Sequence, residues 1–314
     1  MGPKSEQETN HLNEKPGLHV WWRLLRPHTL TASFIPVIVG TMLAILDGEF
    51  HLLLFLAMLI AAMLIQAATN MFNEYYDYKR GLDNEKSVGI GGTIVRDGVK
   101  PIVVKRLGFL FFFLAILLGV YICLTSSWWI AVIGLISMLI GYLYTGGPIP
   151  IAYTPFGELF SGGLMGTVMI SISYYIQTLQ ITMEVIIISA PIAIFIGCIL
   201  LSNNIRDLDG DKENGRKTLA ILVGRDRAIT LLKWLMLISY LLTLVYVAVG
   251  LLPIYSVISL LSISKAKYAV DTFRKNNTNV GMIPAMAATA KTNTIYGALI
   301  SLSLIIHVIY PLSL

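Results

Sequence analysis

Residues 52–83 read LLLFLAMLIAAMLIQAATNMFNEYYDYKRGLD. The stretch from Leu52 to Ala68 holds no ionisable side chain and does not alternate polar with apolar. In lipid every backbone polar group needs an internal partner, so only helices and closed barrels cross a bilayer, and barrel strands alternate. This run is therefore a membrane helix. Its chemistry changes abruptly at its end. Asn70, Asn73 and Asp77 stand at i, i+3 and i+7, which puts them on one face of the same helix. Gly81 is a helix stop, and it leaves Asp83 on the loop, folded back toward Asp77. An apolar helix thus ends in a face of oxygen donors at membrane depth.

The rest of the chain repeats the first half of this pattern. Further apolar runs occupy residues 30–46, 107–124, 128–143, 159–176, 185–201, 228–249, 251–268 and 295–314, nine in all with 52–68. The 314 residues are 56% hydrophobic and 13% charged, with a mean hydropathy of +0.73. Soluble domains run near about 25% charged. The composition excludes a soluble enzyme, a disordered chain and a nucleic-acid-binding module, and leaves an integral membrane protein. The expected architecture is all-α, with nine transmembrane helices around a central cavity. Residues 1–19 form a polar tail without the apolar core of a signal peptide, and 20–314 form a single transmembrane domain.

Charge placement orients the bundle. With the N-terminus in the cytoplasm, all 23 Lys and Arg fall on inner connections or just inside them, and the outer connections carry none. This asymmetry places the C-terminus outside. It also supports the run at 251–268 as a span, because without it the cluster Lys265–Lys275 would lie outside. Cys123 and Cys198 each sit in an apolar run and offer neither metal spacing nor a disulfide framework.

A second donor face follows the sixth run: Asn203-Asn204-Ile205-Arg206-Asp207-Leu208-Asp209-Gly210-Asp211-Lys212, then Gly215-Arg216-Lys217-Thr218. Asn203, Asp207 and Asp211 are spaced i, i+4 and i+8. Both long charged loops lie on the same side, four helices apart. Hard divalent cations take oxygen ligands, and Mg²⁺ is commonly held by one or two carboxylates plus substrate phosphates. Two facing acidic clusters therefore suit Mg²⁺ ions that bridge a diphosphate, with Arg206, Lys212, Arg216 and Lys217 neutralising the remaining charge.

These motifs resemble those of the UbiA superfamily of intramembrane aromatic prenyltransferases, which carries an Asn/Asp-rich motif after helix two and a DxxxD motif after helix six. The resemblance runs from about residue 20 to 310. It is finest to the naphthoate branch, through Arg26-Pro27-His28-Thr29-Leu30-Thr31-Ala32-Ser33, Asn73–Asp83, Gly89-Ile90-Gly91-Gly92, Tyr142–Pro148 and Asn203–Asp207 with Gly215–Ala220. The 4-hydroxybenzoate branch is expected to carry its second Asp four residues after the first; here Gly81 stands there and the acid is Asp83. Glu74 departs from the Asp of many relatives.

The resemblance implies transfer of a polyprenyl chain from polyprenyl diphosphate to 1,4-dihydroxy-2-naphthoate with loss of CO₂. The cavity faces the cytoplasm in a cell inner membrane, the cofactor is Mg²⁺, the lipid bilayer is the only other partner, and no obligatory protein partner is inferred. The site residues expected are Asn73, Asp77, Asp83, Asp207 and Asp211 for the metal. Asn70, Asn203, Arg206, Lys212, Lys217, Arg26 and Tyr144 are expected around the substrates. Tyr75, Tyr76, Tyr142 and Tyr153 are further candidates for stabilising an allylic cation, or for anchoring at the interface.

Two other classes fit less well. A secondary transporter places its acids near the bilayer midplane, whereas these lie at helix ends on one side. A CDP-alcohol phosphotransferase clusters its acids in one run, whereas these split into two. A relative acting on 4-hydroxybenzoate or homogentisate is the nearer alternative.

Overall fold

The computed structural model describes residues 17–83, 92–148 and 150–312. Residues 1–16 of the polar tail and Gly89–Gly91 of the glycine motif lie outside the described residues. The chain begins with a short helix, α1 (Leu18–Leu24), and turns at Arg26 into α2 (Pro27–Leu46). Then come α3 (Leu52–Lys79), a single turn α4 (Thr93–Arg96), α5 (Pro101–Thr125) and α6 (Trp129–Leu143). A rod follows that opens as α7 (Gly157–Ser161), widens into a π-helical stretch over Gly162–Val168, and closes as α8 (Met169–Thr178). The second half holds α9 (Met183–Ile188), α10 (Ala190–Arg206), α11 (Leu208–Glu213), α12 (Leu219–Val223) and α13 (Arg225–Ala248). A 3₁₀ helix (Ile254–Ser262), α14 (Ile263–Lys275) and α15 (Asn279–Ile309) complete it. Among the described residues there is no strand. Proline at the start of α2 and α5 suits a helix N-terminus, where its missing N–H costs nothing.

Among the described residues, seven helical rods are long and apolar enough to cross a membrane, against the nine expected. The two that differ do so for distinct reasons. Helix α6 is apolar but only 15 residues long. The run at 251–268 is not one α-helix. Ser256, Ser259 and Ser262 recur every third residue, the period at which side chains eclipse in a 3₁₀ helix. Their hydroxyls form a buried stripe: Ser256 meets Ser303 of α15 at 2.9 Å and Ser262 meets Tyr240 of α13 at 2.7 Å. The chain then continues as the amphipathic α14.

Burial separates the inner staves from the outer ones. Two-thirds of the apolar window of α2 is inside the bundle (67%), against 28% for α5. Helix α2 packs on α3, α8 and α15, while α5 lies on α3 and turns Phe113, Leu117 and Leu124 outward. The π-helical stretch lies against α10 so closely that a Cβ on Gly166 would sit 2.4 Å from the Ala193 Cα. Small residues are what allow membrane helices this approach. The ends of α3 and α10 and the elbow at Arg26 all reach the same end of the bundle, and the site is built there.

Candidate active site at the polar mouth of an apolar cavity

On the α3 side, the predicted face holds. Asn70 is buried and ties α3 to the elbow before α2, donating to the Leu25 carbonyl at 3.0 Å and to the Thr29 hydroxyl at 2.9 Å. One turn on, Asn73 Oδ1 accepts from Thr145 Oγ1 at 2.7 Å. Helix α3 ends at Lys79, and Gly81 takes φ +77°, the left-handed region that glycine adopts without strain. The chain folds back there. The Leu82 and Asp83 backbone N–H groups both reach the Asp77 carbonyl, at 2.9 and 3.3 Å. Arg80 donates to the carbonyls of Thr145 and Gly147, fixing the loop after α6 against this rim. Glu74 is fully buried and holds α4, accepting from the Ile94 N–H at 3.0 Å and the Thr93 hydroxyl at 3.3 Å.

The α10 side is bent where a continuous face was expected. Helix α10 ends at Arg206, Asp207 is the junction, and Asp211 lies on the short α11. Backbone bonds from Asp207 to Asn203 (3.0 Å) and from Asp211 to Asp207 (2.9 Å) keep the i−4 register across the bend. Arg206 grips its neighbour Asp207 with two bonds of 2.7 and 2.6 Å and turns its third nitrogen to the Met286 sulfur. Asn204 points elsewhere, to Glu158 at 2.9 Å.

Arg216 joins the two rims. Its guanidinium donates to Asp77 Oδ1 at 2.7 Å and to Asp211 Oδ1 at 3.0 Å, and lies 5.2 Å from the Tyr153 ring centre. Burial pulls this guanidinium's pKa down, but the Asp77 and Asp211 carboxylates outweigh it, so the proton is held more tightly than on a free arginine. Burial pushes Asp211 up to about 7 against the opposing pull of Arg216. It raises Asp83 as well, with Arg26 opposing and the Asp207 charge adding to the rise. Asp83 thus lies within the field of the second motif. Burial also raises Tyr144, which keeps that hydroxyl neutral beside Glu158, Arg216 and Asp77.

Below this mouth lies a cavity of about 460 Å³ between α2, α3, α5, α6, the Gly157–Thr178 rod and α10. Arg26, Asn70, Asn73, Tyr144 and Asn203 line its polar end. Ala62, Met58, Ile122, Ile130 and Met169 line the remainder. From Asn73 to Met58 the wall follows α3 for ~22 Å at 1.5 Å per residue. Arg26 holds a left-handed backbone (φ 50°, ψ 65°), strained for a non-glycine residue, and its buried Nε has no hydrogen-bond partner.

Among the described residues no three His, Cys, Asp or Glu side chains converge as a ready metal site. The donor set nonetheless suits a hard divalent cation. Asp77 and Asp211 share one positive charge from Arg216, Asp83 lies within the field of the Asp207 charge, and the buried Asn203 Oδ1 has no hydrogen-bond partner.

Residues 33–282 match the model of the UbiA prenyltransferase family. The chain belongs to the UbiA prenyltransferase family. It is 54% identical over 303 residues to 1,4-dihydroxy-2-naphthoate octaprenyltransferase of Bacillus subtilis, covering 96% of this chain and 97% of that one. It is 31% identical over 277 residues to UbiA prenyltransferase domain-containing protein 1 of Xenopus tropicalis, covering 87% and 78%. Its fold superposes with a TM-score of 0.62 on a UbiA homologue from Archaeoglobus fulgidus bound to GPP and Mg²⁺, at 19% identity, covering 90% of this chain and 99% of that one.

In this UbiA chain the structure draws together Asn73, Asp77, Asp83, Arg206, Asp207 and Asp211, with Arg26, Asn70, Tyr144 and Asn203 at the cavity mouth. Lys212 and Lys217 are exposed and stay outside the buried cluster. The Lys217 backbone N–H is spent on the Tyr153 carbonyl at 3.0 Å. Arg216 takes the central place instead. The signal was local: its backbone N–H returns to the Asp211 carbonyl at 3.0 Å across Gly215, and that tight loop sends the arginine inward and the next lysine out. Arg80, which from sequence either served the site or faced water, braces the α3 rim through the loop after α6, and the Thr145 contact with Asn73 had no spacing by which to be found.

Proposed function

We propose that this chain transfers a polyprenyl group from polyprenyl diphosphate to 1,4-dihydroxy-2-naphthoate. The observation that carries the reading is a pair of acidic rims, joined by Arg216, at the head of a long apolar cavity. The near full-length likeness to the Bacillus subtilis octaprenyltransferase supports this acceptor. Residues 20–314 act as one domain of nine spans, counting α6 and the 3₁₀–α14 segment. The N-terminus and the active site face the cytoplasm, the C-terminus lies outside, and the membrane is the bacterial plasma membrane.

In this reading the prenyl tail lies along the apolar wall from Asn73 toward Met58, and the diphosphate sits at the mouth. Asn73, Asp77, Asp83, Asp207 and Asp211 hold Mg²⁺, while Asn70 and Asn203 set the geometry of the two rims. Bound Mg²⁺ supplies positive charge that offsets the charge growing on the departing diphosphate oxygen. Arg206 and Arg26 add fixed guanidinium charge there, and Lys212 and Lys217 complete the field from the aqueous side. The allylic carbon–oxygen bond breaks, and its electron pair leaves with the diphosphate. The surrounding apolar wall keeps water from the allylic cation, and the neutral Tyr144 ring offers it an aromatic face. The naphthoate ring attacks through its carboxylated carbon to form the new carbon–carbon bond. Loss of CO₂ then returns an electron pair to the ring, so this route needs no base for a ring proton.

The test is incubation of the purified protein with dihydroxynaphthoate, a prenyl diphosphate and Mg²⁺, read by product mass. The expected product is prenylated and one CO₂ lighter, and chelation of the metal stops its formation. Alkylation of 4-hydroxybenzoate or homogentisate in preference to the naphthoate would overturn the acceptor assignment.

A further inference from the structure

A second cavity, of about 350 Å³, opens between α13 and α14, away from the active site. The register of these helices is fixed deeper in the bundle, where Tyr240 meets Ser262 at 2.7 Å. Counting from that bond toward the charged ends brings Lys233 of α13 level with the middle of α14, where Lys267 faces the same groove. Arg274 stands two turns further along α14. Three cations therefore line one groove with a single carboxylate, Asp271. Among the described residues no carboxylate lies within ion-pair distance of Lys233, Lys267 or Arg274.

Like charges facing each other across a groove repel, and an anion between them removes that cost. The rest of the lining states what kind of anion. Met236, Leu237 and Ile263 form an apolar floor that continues from the cationic rim toward the middle of the membrane. Trp234 and Tyr268 flank the rim, both 53% exposed, as aromatic side chains do at headgroup level. A free phosphate would satisfy the cations and leave the floor bare. A phospholipid satisfies both. Basic pockets between membrane helices on the cytoplasmic side are known to take anionic headgroups.

We propose that this groove binds an anionic phospholipid, its phosphate on Lys233, Lys267 and Arg274 and one acyl chain along Met236 and Ile263. The lipid fills the gap between the amphipathic α14 and α13 and holds α14 against α13. The inference does not rest on the proposed reaction, since none of these residues lines the active-site cavity.

Native mass spectrometry of the full-length protein in neutral detergent tests it, titrating phosphatidylglycerol and phosphatidylcholine of matched acyl chains. The wild type is expected to retain phosphatidylglycerol about tenfold more tightly than phosphatidylcholine. In a Lys233→Gln, Lys267→Gln double variant that preference disappears, whereas Lys100→Gln, which changes an exposed lysine elsewhere on the same side, keeps it. Equal retention of the two lipids by the wild type, or an unchanged preference in the double variant, would overturn the proposal. Displacement of the lipid by millimolar inorganic phosphate would also overturn it, by showing a simple anion site. A readout on the wild type alone guards against a double variant that fails to fold. A phosphatidylglycerol with a photoreactive acyl chain is expected to label peptides of α13 and α14, and labelling confined to other helices would refute the site.

Discussion

Arg216 and Asp77 are separated by 139 residues, yet the Arg216 Nη2 donates to Asp77 Oδ1 at 2.7 Å. The other arm of the same guanidinium holds Asp211 at 3.0 Å. One side chain thereby links the end of α3 to the segment after α10. It also places positive charge between two carboxylates whose mutual repulsion would otherwise spread the rims. All three side chains are largely buried, at 12, 18 and 8% exposure for Arg216, Asp77 and Asp211. The link therefore acts in a medium where charges are felt strongly.

Removing that arginine leaves two buried carboxylates without their partner. Breaking a buried pair from one side costs about 3–5 kcal/mol. Arg216→Ala is expected to unfold at lower temperature than the wild type in metal-free detergent solution, and to recover more of its stability on addition of Mg²⁺ than the wild type gains. Thermal unfolding with and without Mg²⁺ measures both. Equal stabilisation of the two proteins by the metal would show that Arg216 does not stand where the cation binds.

The acids lie at helix ends around the mouth, and in Asp77→Ala the Arg216 guanidinium keeps its bond to Asp211. Asp77→Ala and Asp207→Ala are each expected to lower prenyl transfer at least about a hundredfold, the scale of losing a main electrostatic stabiliser. Both variants are expected to insert in the membrane and elute as single species. Near-normal Mg²⁺-dependent turnover in either would remove that residue from the proposed metal set.

Most of the bundle was legible because lipid imposes simple rules. Unbroken apolar runs must be helical, and basic residues mark one side, so α2, α3, α5, α10, α13 and α15 follow from pattern alone. The segment at 251–268 escaped because hydropathy counts its serines as neutral. Their three-residue spacing matters only once Ser303 and Tyr240 are beside them. In the site, Asn70, Asn73, Asp77 and Asp83 were readable because helical periodicity and one glycine stop fix their directions. Arg216 against Lys217 was not, since the difference depends on a loop closing on Asp211. Thr145 is a contact across 72 residues that no local spacing encodes.

That Thr145 contact is itself testable. Its hydroxyl donates to Asn73 Oδ1 at 2.7 Å, while Arg80 holds its carbonyl. Thr145→Val keeps the shape and removes the donor, a loss of about 1 kcal/mol for a neutral hydrogen bond. The expected result is a roughly fivefold higher Mg²⁺ requirement with little change in folding, restored by Thr145→Ser. Titration of activity against Mg²⁺ decides it. An unchanged requirement in the valine variant would mean that Asn73 needs no such orientation.

The cavity offers the most direct probe of the prenyl tail. Gly134 of α6 lines it, and a Cβ built there meets no heavy atom within 4 Å. A side chain at this position enters empty space rather than a neighbour, and replacing a mid-helix glycine favours the helix. Ten residues of α6 separate Gly134 from Tyr144 at the mouth, ~15 Å along the axis. Gly134→Phe should therefore block the distant part of the cavity and leave the reacting end intact. The expected outcome is about a tenfold loss of kcat/KM with a long polyprenyl diphosphate, and little change with geranyl diphosphate, which is short enough to stop before the obstruction. Competition between the two donors, with products separated by mass, reads the ratio directly. Equal losses for both would mean that the tail leaves the mouth by another route, and would detach this cavity from the proposed reaction.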